Sequence, residues 1–135
     1  MGGMSSTSNI DMVDKLEMDS RILFVLNDPP YGTEKCFNGL RLAREVAGRE
    51  ETEVRLFLMG DAVGCGMVGQ KLPDGYYHLD RMLASLARRN VLIGACTTCL
   101  DARGITDNLL IEGVHRATLE ELGNWTIWAD KVITF

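Results

Sequence analysis

The sequence predicts an α/β fold, a single three-layer α/β/α domain built on a mostly parallel sheet of about five strands. Three observations carry this. Short apolar runs of strand character alternate with helical patterns along the chain, the order expected when parallel strands are joined by right-handed helical crossovers. The first run, Ile22, Leu23, Phe24, Val25 and Leu26, is apolar without a break, which suits a strand covered on both faces. The chain of 135 residues is the length of one domain with a sizeable core.

Residues 1–20 mix Gly, Ser, Thr, Asn and Asp with four methionines and read as a flexible leader; Ile10, Val13 and Leu16 form only one short amphipathic turn. The domain is expected over 21–135. After the first strand, at 21–27, Asp28, Pro29, Pro30, Tyr31 and Gly32 make a rigid turn, and Thr33 is positioned to cap a helix reaching Ala47, with Gly48 as its stop. Phe37, Leu40, Ala43 and Ala47 are its buried stripe, and Cys36 reads as a small core filler. Val54 to Met59 is the second strand. A glycine-rich loop follows over 60–74; Gly64, Gly66 and Gly69 have the G-x-G-x-x-G spacing, but no helix opens on them, so nucleotide binding is not assigned. Asp74 is expected to cap the next helix, which carries Tyr76, Leu79, Met82, Leu83 and Leu86 on one side, contains His78 and closes at Arg88, Arg89 and Asn90.

Val91, Leu92 and Ile93 begin the third strand, and Gly94 and Ala95 lead into a turn with two cysteines three apart. Helical character over 97–103 ends at Gly104, a residue suited to the left-handed position past a helix end. Cys96 is thereby the cap residue, where unpaired backbone N–H groups and the positive end of the helix favour thiolate over thiol. Cys99, one turn on, is expected deeper and less exposed. Residues 106–117 are irregular apart from an extended piece near 114–117. Thr118 with Glu121 is a capping box, Leu119, Leu122, Trp125 and Ala129 are the stripe of the last helix, and 131–135 is a closing strand.

In a sheet of this kind all strand-to-helix loops open at one edge, where ligands bind. That edge gathers 27–32, 61–65 and 96–99, with 107–117 near them. Cys96 is the candidate nucleophile; Cys99, Asp61, Cys65, Asp28 and Tyr31 are the candidate supporting residues, although turn and cap chemistry accounts equally well for Asp28 and Asp61. Arg103, at the negative end of the short helix, needs only a structural role.

A net charge of −5, from 14 basic and 19 acidic residues, gives no footprint for nucleic acid. No apolar run approaches a membrane span and no signal-peptide pattern opens the chain, so a cytoplasmic location is expected. Four cysteines at 36, 65, 96 and 99 are too sparse for a disulfide scaffold and read as free thiols. Four readings of the central pair follow. Cys96 can carry sulfur as a persulfide; Cys96 and Cys99 can exchange disulfides as a redox pair; or the cysteines are inert in an oligomeric binding module. Metal binding by Cys65, Cys96, Cys99 and His78 or His115 rests on half of the usual zinc pattern. No cofactor and no metal are assigned. The two tryptophans of the C-terminal stretch are more aromatic area than a small core is expected to cover fully, and partly exposed aromatic area predicts a homo-oligomer.

The blocks PPYGTE at 29–34, FNGLRLA at 37–43, LFLMGDAV at 56–63, GQK at 69–71 with GYY at 75–77, CTTCLDARGI at 96–105 and LEELGNWTIWADKVITF at 119–135 carry a resemblance to the DsrE/DsrF-like family, most closely its YchN-like branch. The resemblance implies a DsrE-like α/β/α fold, assembly as trimers or hexamers, and a part in sulfur relay, in which a cysteine accepts persulfide sulfur and passes it on. Counted back from the Arg-Gly that ends the motif, the family's sulfur-carrying cysteine falls on Cys96. The relay members that define this role work as complexes of different subunits, so the fold and the site carry over more directly than donor or acceptor.

Overall fold

The computed structural model describes residues 20–135, so the predicted leader, apart from Ser20, lies outside the described residues. Strand β1 is Ser20–Leu26, β2 Thr52–Leu58, β3 Leu92–Cys96, β4 Val114–Ala117 and β5 Lys131–Thr134. They form one sheet in the order β4-β3-β2-β1-β5, and every ladder in it is parallel. The fold is the α/β/α arrangement that the alternation of strands and helices predicts.

Helix α1 spans Lys35–Ala47, α2 Leu79–Arg88, α3 Thr97–Ala102 and α4 Leu119–Trp128. From β1 to β4 the chain steps in one direction across the sheet, then returns over three strands to place β5 beside β1. Right-handed crossovers put α4 on the face opposite α1 and α2. The contacts agree: α1 presses Gly39 so close to Leu26 that an added Cβ would lie 2.7 Å from it, while Trp125 of α4 meets Phe57 edge-on at 6.0 Å. Leu26 pairs with Leu58, and Leu58 and Phe57, being adjacent in a strand, point to opposite faces. Leu23, Phe24, Leu26, Leu56, Phe57 and Leu58 are all fully buried, which is why these strands read as unbroken apolar runs.

Four expectations are corrected. Helix α1 starts at Lys35 with Glu34 as its cap residue; Thr33 instead joins the preceding turn, donating to the Asp28 carboxylate at 3.2 Å and accepting from the Lys35 N–H. Helix α2 starts at Leu79, so His78 is its cap residue rather than an interior one, and Asp74 and Tyr76 lie ahead of it. Here the Tyr31 hydroxyl accepts the Leu79 N–H at 3.3 Å, a cap supplied from a distant turn. The expected glycine-rich loop begins as a 3-10 helix, Gly60–Gly66, and past it Met67 bridges Leu110, so the three spaced glycines form no phosphate cradle. Leu119, assigned to the buried stripe of α4, is 73% exposed, at the rim of the cavity beside Cys96.

Of the two tryptophans, one departs from the expected partial exposure and one keeps it. Trp125 is buried, and Trp128 is half-buried with the Arg55 guanidinium stacked 3.8 Å above its ring. The exposed apolar area of α4 belongs to Leu119 and Ile127. No helix among the described residues is long and apolar enough to cross a membrane.

Candidate functional site

Strand β3 ends at Cys96 and α3 begins at Thr97, with nothing between them. Cys96 keeps a non-helical backbone (φ −56°, ψ 121°) and its sulfur accepts the Cys99 N–H at 3.4 Å, the geometry of a capping residue. The Thr98 hydroxyl lies 3.2 Å from the same sulfur. Gly104 takes the left-handed conformation (φ +66°) that ends the helix.

Cys99 is tied to the other loop of this edge. Its sulfur accepts the Gly60 N–H, at the start of the 3-10 helix, at 3.2 Å. Asp61, next in that helix, takes two hydrogen bonds from Arg103, at 3.2 and 2.7 Å, and Arg103 also donates to the Cys99 carbonyl at 2.9 Å. Through Arg103, Asp61 is tied to the Cys99 backbone rather than to a thiol, and it fastens the loop after β2 to the end of α3. On the other side Arg116 of β4 donates to Asp101, Asp107 and the Ile105 carbonyl at 2.6–2.8 Å and to the Thr97 carbonyl at 3.4 Å. Hydrogen bonding to Asp107 and Asp101 raises its already high pKa, so it is a permanent cation.

The two central thiols are electrically unequal. Burial pushes Cys96 up, but hydrogen bonds from the Cys99 thiol, the Thr98 hydroxyl and the N–H groups of Cys99 and Thr98 outweigh it and leave its pKa below the ordinary thiol value. Cys99 is raised, by burial and by its role as proton donor to Cys96. Cys96 is thus the more acidic of the two thiols and Cys99 the one that holds its proton to higher pH. Exposure corrects the sequence reading: Cys96 is 7% exposed and Cys99 is half-buried. Cys96 is the end of an inner strand, whereas Cys99 lies in the short helix α3 with its sulfur turned toward Gly60. Access to both is through a cavity of about 390 Å³ walled by Met59, Thr97, Thr118 and Leu119.

Of the remaining candidates, Cys65, Asp28 and Tyr31 come together in a second cluster. Cys65 and Cys36 are fully buried; the Cys36 thiol donates to the Asp28 carbonyl at 3.0 Å, and Cys65, donating to Cys36 in the interior, is pushed far above the ordinary thiol range. The Asp28 carboxylate holds Thr33 and, at 3.8 Å, Lys35. Tyr31 is a strut between the first loop and α2, donating to the Tyr77 carbonyl at 3.2 Å while accepting from Leu79. Burial is the main cause raising its hydroxyl pKa. Among the described residues no set of three or more His, Cys, Asp and Glu side chains converges as metal ligands; His115 pairs with Glu121 at 2.6 Å and His78 with Asp80 at 3.9 Å. The sequence reading missed Thr98, the Gly60 N–H, the link through Arg103 and the walls of the cavity. Only Thr98, two positions past the cap, carried a local signal.

Fold and site define a class: a parallel α/β/α domain with a helix-capping cysteine at the carboxyl end of an inner strand. The chain belongs to the DsrE/DsrF-like family, whose model matches residues 20–135. It is 48% identical over 116 residues to Protein YchN of Escherichia coli, covering 85% of this chain and 98% of that protein. An uncharacterized protein of Methanopyrus kandleri is 37% identical over 114 residues, covering 84% and 93%. The crystal structure of the Escherichia coli ychN protein superposes with a TM-score of 0.81 over 86% of this chain and 99% of that one. A protein of unknown function from Methanobacterium thermoautotrophicum, 16% identical, shares the fold with a TM-score of 0.71 over 87% of this chain and all of that one.

Proposed function

We propose that this chain carries sulfur as a persulfide on Cys96 in an intracellular, cytoplasmic sulfur relay. The supporting observation is the inequality of the two thiols: Cys96 gathers the proton donors and opens on a cavity, while Cys99 keeps its proton. The Cys96 thiolate attacks the outer sulfur of a donor persulfide. A sulfur–sulfur bond forms on Cys96, the donor's breaks, and the donor leaves as a thiolate. An acceptor thiolate then attacks the outer sulfur on Cys96 and returns it to a thiolate, with no net oxidation in either step. The donors around Cys96 suit an anionic sulfur before and after transfer. The resemblance of CTTCLDARGI to the family's sulfur-carrying motif supports the same residue.

The contact between the thiols favours one competing reading, disulfide exchange by Cys96 and Cys99. Intact mass after exposure to a small-molecule persulfide decides between them. Relay predicts a gain of sulfur removable by reductant in wild type and Cys99→Ser and none in Cys96→Ser; equal loading of wild type and Cys96→Ser sinks it. Loss of two hydrogens with no sulfur gained supports the redox pair. The working form is a homo-oligomer, a trimer or hexamer, supported by Leu119 and Ile127, which are 73% and 87% exposed.

A further inference from the structure

We infer that an arginine-lined groove between the C-terminal ends of α1 and α2 is an anion site for a ligand carrying two or more linked phosphate groups. The groove encloses about 680 Å³ and is lined by Arg41, Arg44 and Glu45 of α1, Arg49 beyond it, and Arg89 from the end of α2. It lies at the opposite edge of the sheet from Cys96, because both helices run back to the beginnings of the strands: Gly48 precedes β2 and Arg89 precedes β3. It therefore owes nothing to the sulfur chemistry.

Charge bookkeeping singles this groove out. The chain has a net charge of −5, yet four of its 14 basic residues meet here with one carboxylate. That carboxylate, Glu45, is taken by Arg49 at 2.7 Å. Arg41 rests over the Phe37 ring at 5.5 Å and bonds only a neutral acceptor, the Asn38 side-chain oxygen, at 3.2 Å. Arg44 and Arg89 have no carboxylate partner among the described residues. Cations at helix ends are favourable, which accounts for Arg44 and Arg89 being basic. It does not account for their lining one groove together with Arg41, from mid-helix, and Arg49, an arrangement whose mutual repulsion a bound anion relieves. Guanidinium forks match phosphate oxygens in pairs, and several forks along a groove suit successive phosphates better than a single one. The residues lining the groove offer no aromatic ring for a base to stack on, so the phosphate chain is what the groove reads.

Calorimetry of the full chain with inorganic tripolyphosphate at low ionic strength tests this. One-to-one binding that weakens as salt is added is expected. Arg44→Gln and Arg89→Gln should each weaken it by about tenfold, the value of one charge-assisted hydrogen-bonding group. Arg81→Gln, on α2 but outside the groove, should leave binding unchanged, and all three variants should melt with the wild type. Absence of binding at millimolar tripolyphosphate, binding by the Arg44→Gln and Arg89→Gln variants as tight as by the wild type, or displacement of tripolyphosphate by hexaglutamate at lower concentration would each overturn the assignment, the last in favour of an acidic protein segment.

Discussion

At the scale of single residues the site depends on which of two cysteines keeps its proton. Cys99 donates to Cys96, so removing that thiol removes one of the groups that lower the Cys96 pKa. Cys99→Ala should move the midpoint of Cys96 alkylation to higher pH. The sign is fixed: with fewer donors the thiolate appears later on the pH scale, so the rate near neutrality falls severalfold and meets the wild-type rate only above both midpoints. Alkylation rate against pH, with the modified residue identified by mass, reads this; an unchanged midpoint removes Cys99 as a donor. Thr98→Val should move the midpoint the same way, through the loss of its hydroxyl. Cys96→Ser should cost little stability, since serine caps a helix as well as any residue. Cys96 was legible as a cap because a strand, a cysteine and a helix ending at Gly104 are local signals. Its depth was not, since that follows from β3 being an inner strand of the sheet, and the walls of its cavity, Met59, Thr118 and Leu119, arrive from elsewhere in the chain.

At the scale of elements, the sequence patterns located the four α-helices and five strands among the described residues but not the 3-10 helices Gly60–Gly66 and Asp107–Leu109, and the misplaced helix starts fell where a distant group decides an end. Nothing near Leu79 in sequence says that Tyr31 will cap α2, and nothing in 60–66 says that Gly60 will be held by Cys99. Some ends are local: the Thr118 hydroxyl accepts the Glu121 N–H at 3.1 Å, half of the predicted capping box, while the Glu121 carboxylate goes to His115 instead. Thr118→Ala should therefore cost about 1 kcal/mol in urea unfolding. Gly113, just ahead of β4, is a stricter case. It has φ +96°, and a Cβ there would lie 2.6 Å from the Ala87 Cβ in α2. Gly113→Ala combines a disfavoured backbone with overpacking against a helix, and should lower stability by roughly 2 to 4 kcal/mol. A change below 0.5 kcal/mol, the usual size at an indifferent surface position, would mean that the turn simply relaxes.

At the scale of the molecule, the parallel sheet was legible because strands buried on both faces carry uninterrupted apolar runs, whereas the exposed apolar area of α4 was not legible residue by residue. The two tryptophans are consumed inside one chain, Trp125 against Phe57 and Trp128 under Arg55. What remains outside on α4 is Leu119 and Ile127, with Gly123 midway between them and open space where its side chain would be. Four-residue spacing keeps the three on one side of the helix, and a glycine at the centre lets another backbone approach closely. Ile127 is the sharper probe, because Leu119 also walls the Cys96 cavity. In an isolated chain a residue that is 87% exposed can become charged almost without cost, within about 0.5 kcal/mol. In an assembly that covers α4 the same carboxylate would be desolvated without a partner, at a cost large enough to separate the subunits. Ile127→Glu should therefore shift the mass measured by light scattering from a trimer or hexamer to that of one chain, while the circular dichroism spectrum stays that of the folded domain. A single-chain mass for the wild type at micromolar concentration would refute the assembly itself, and an undiminished mass for Ile127→Glu would move the interface away from α4.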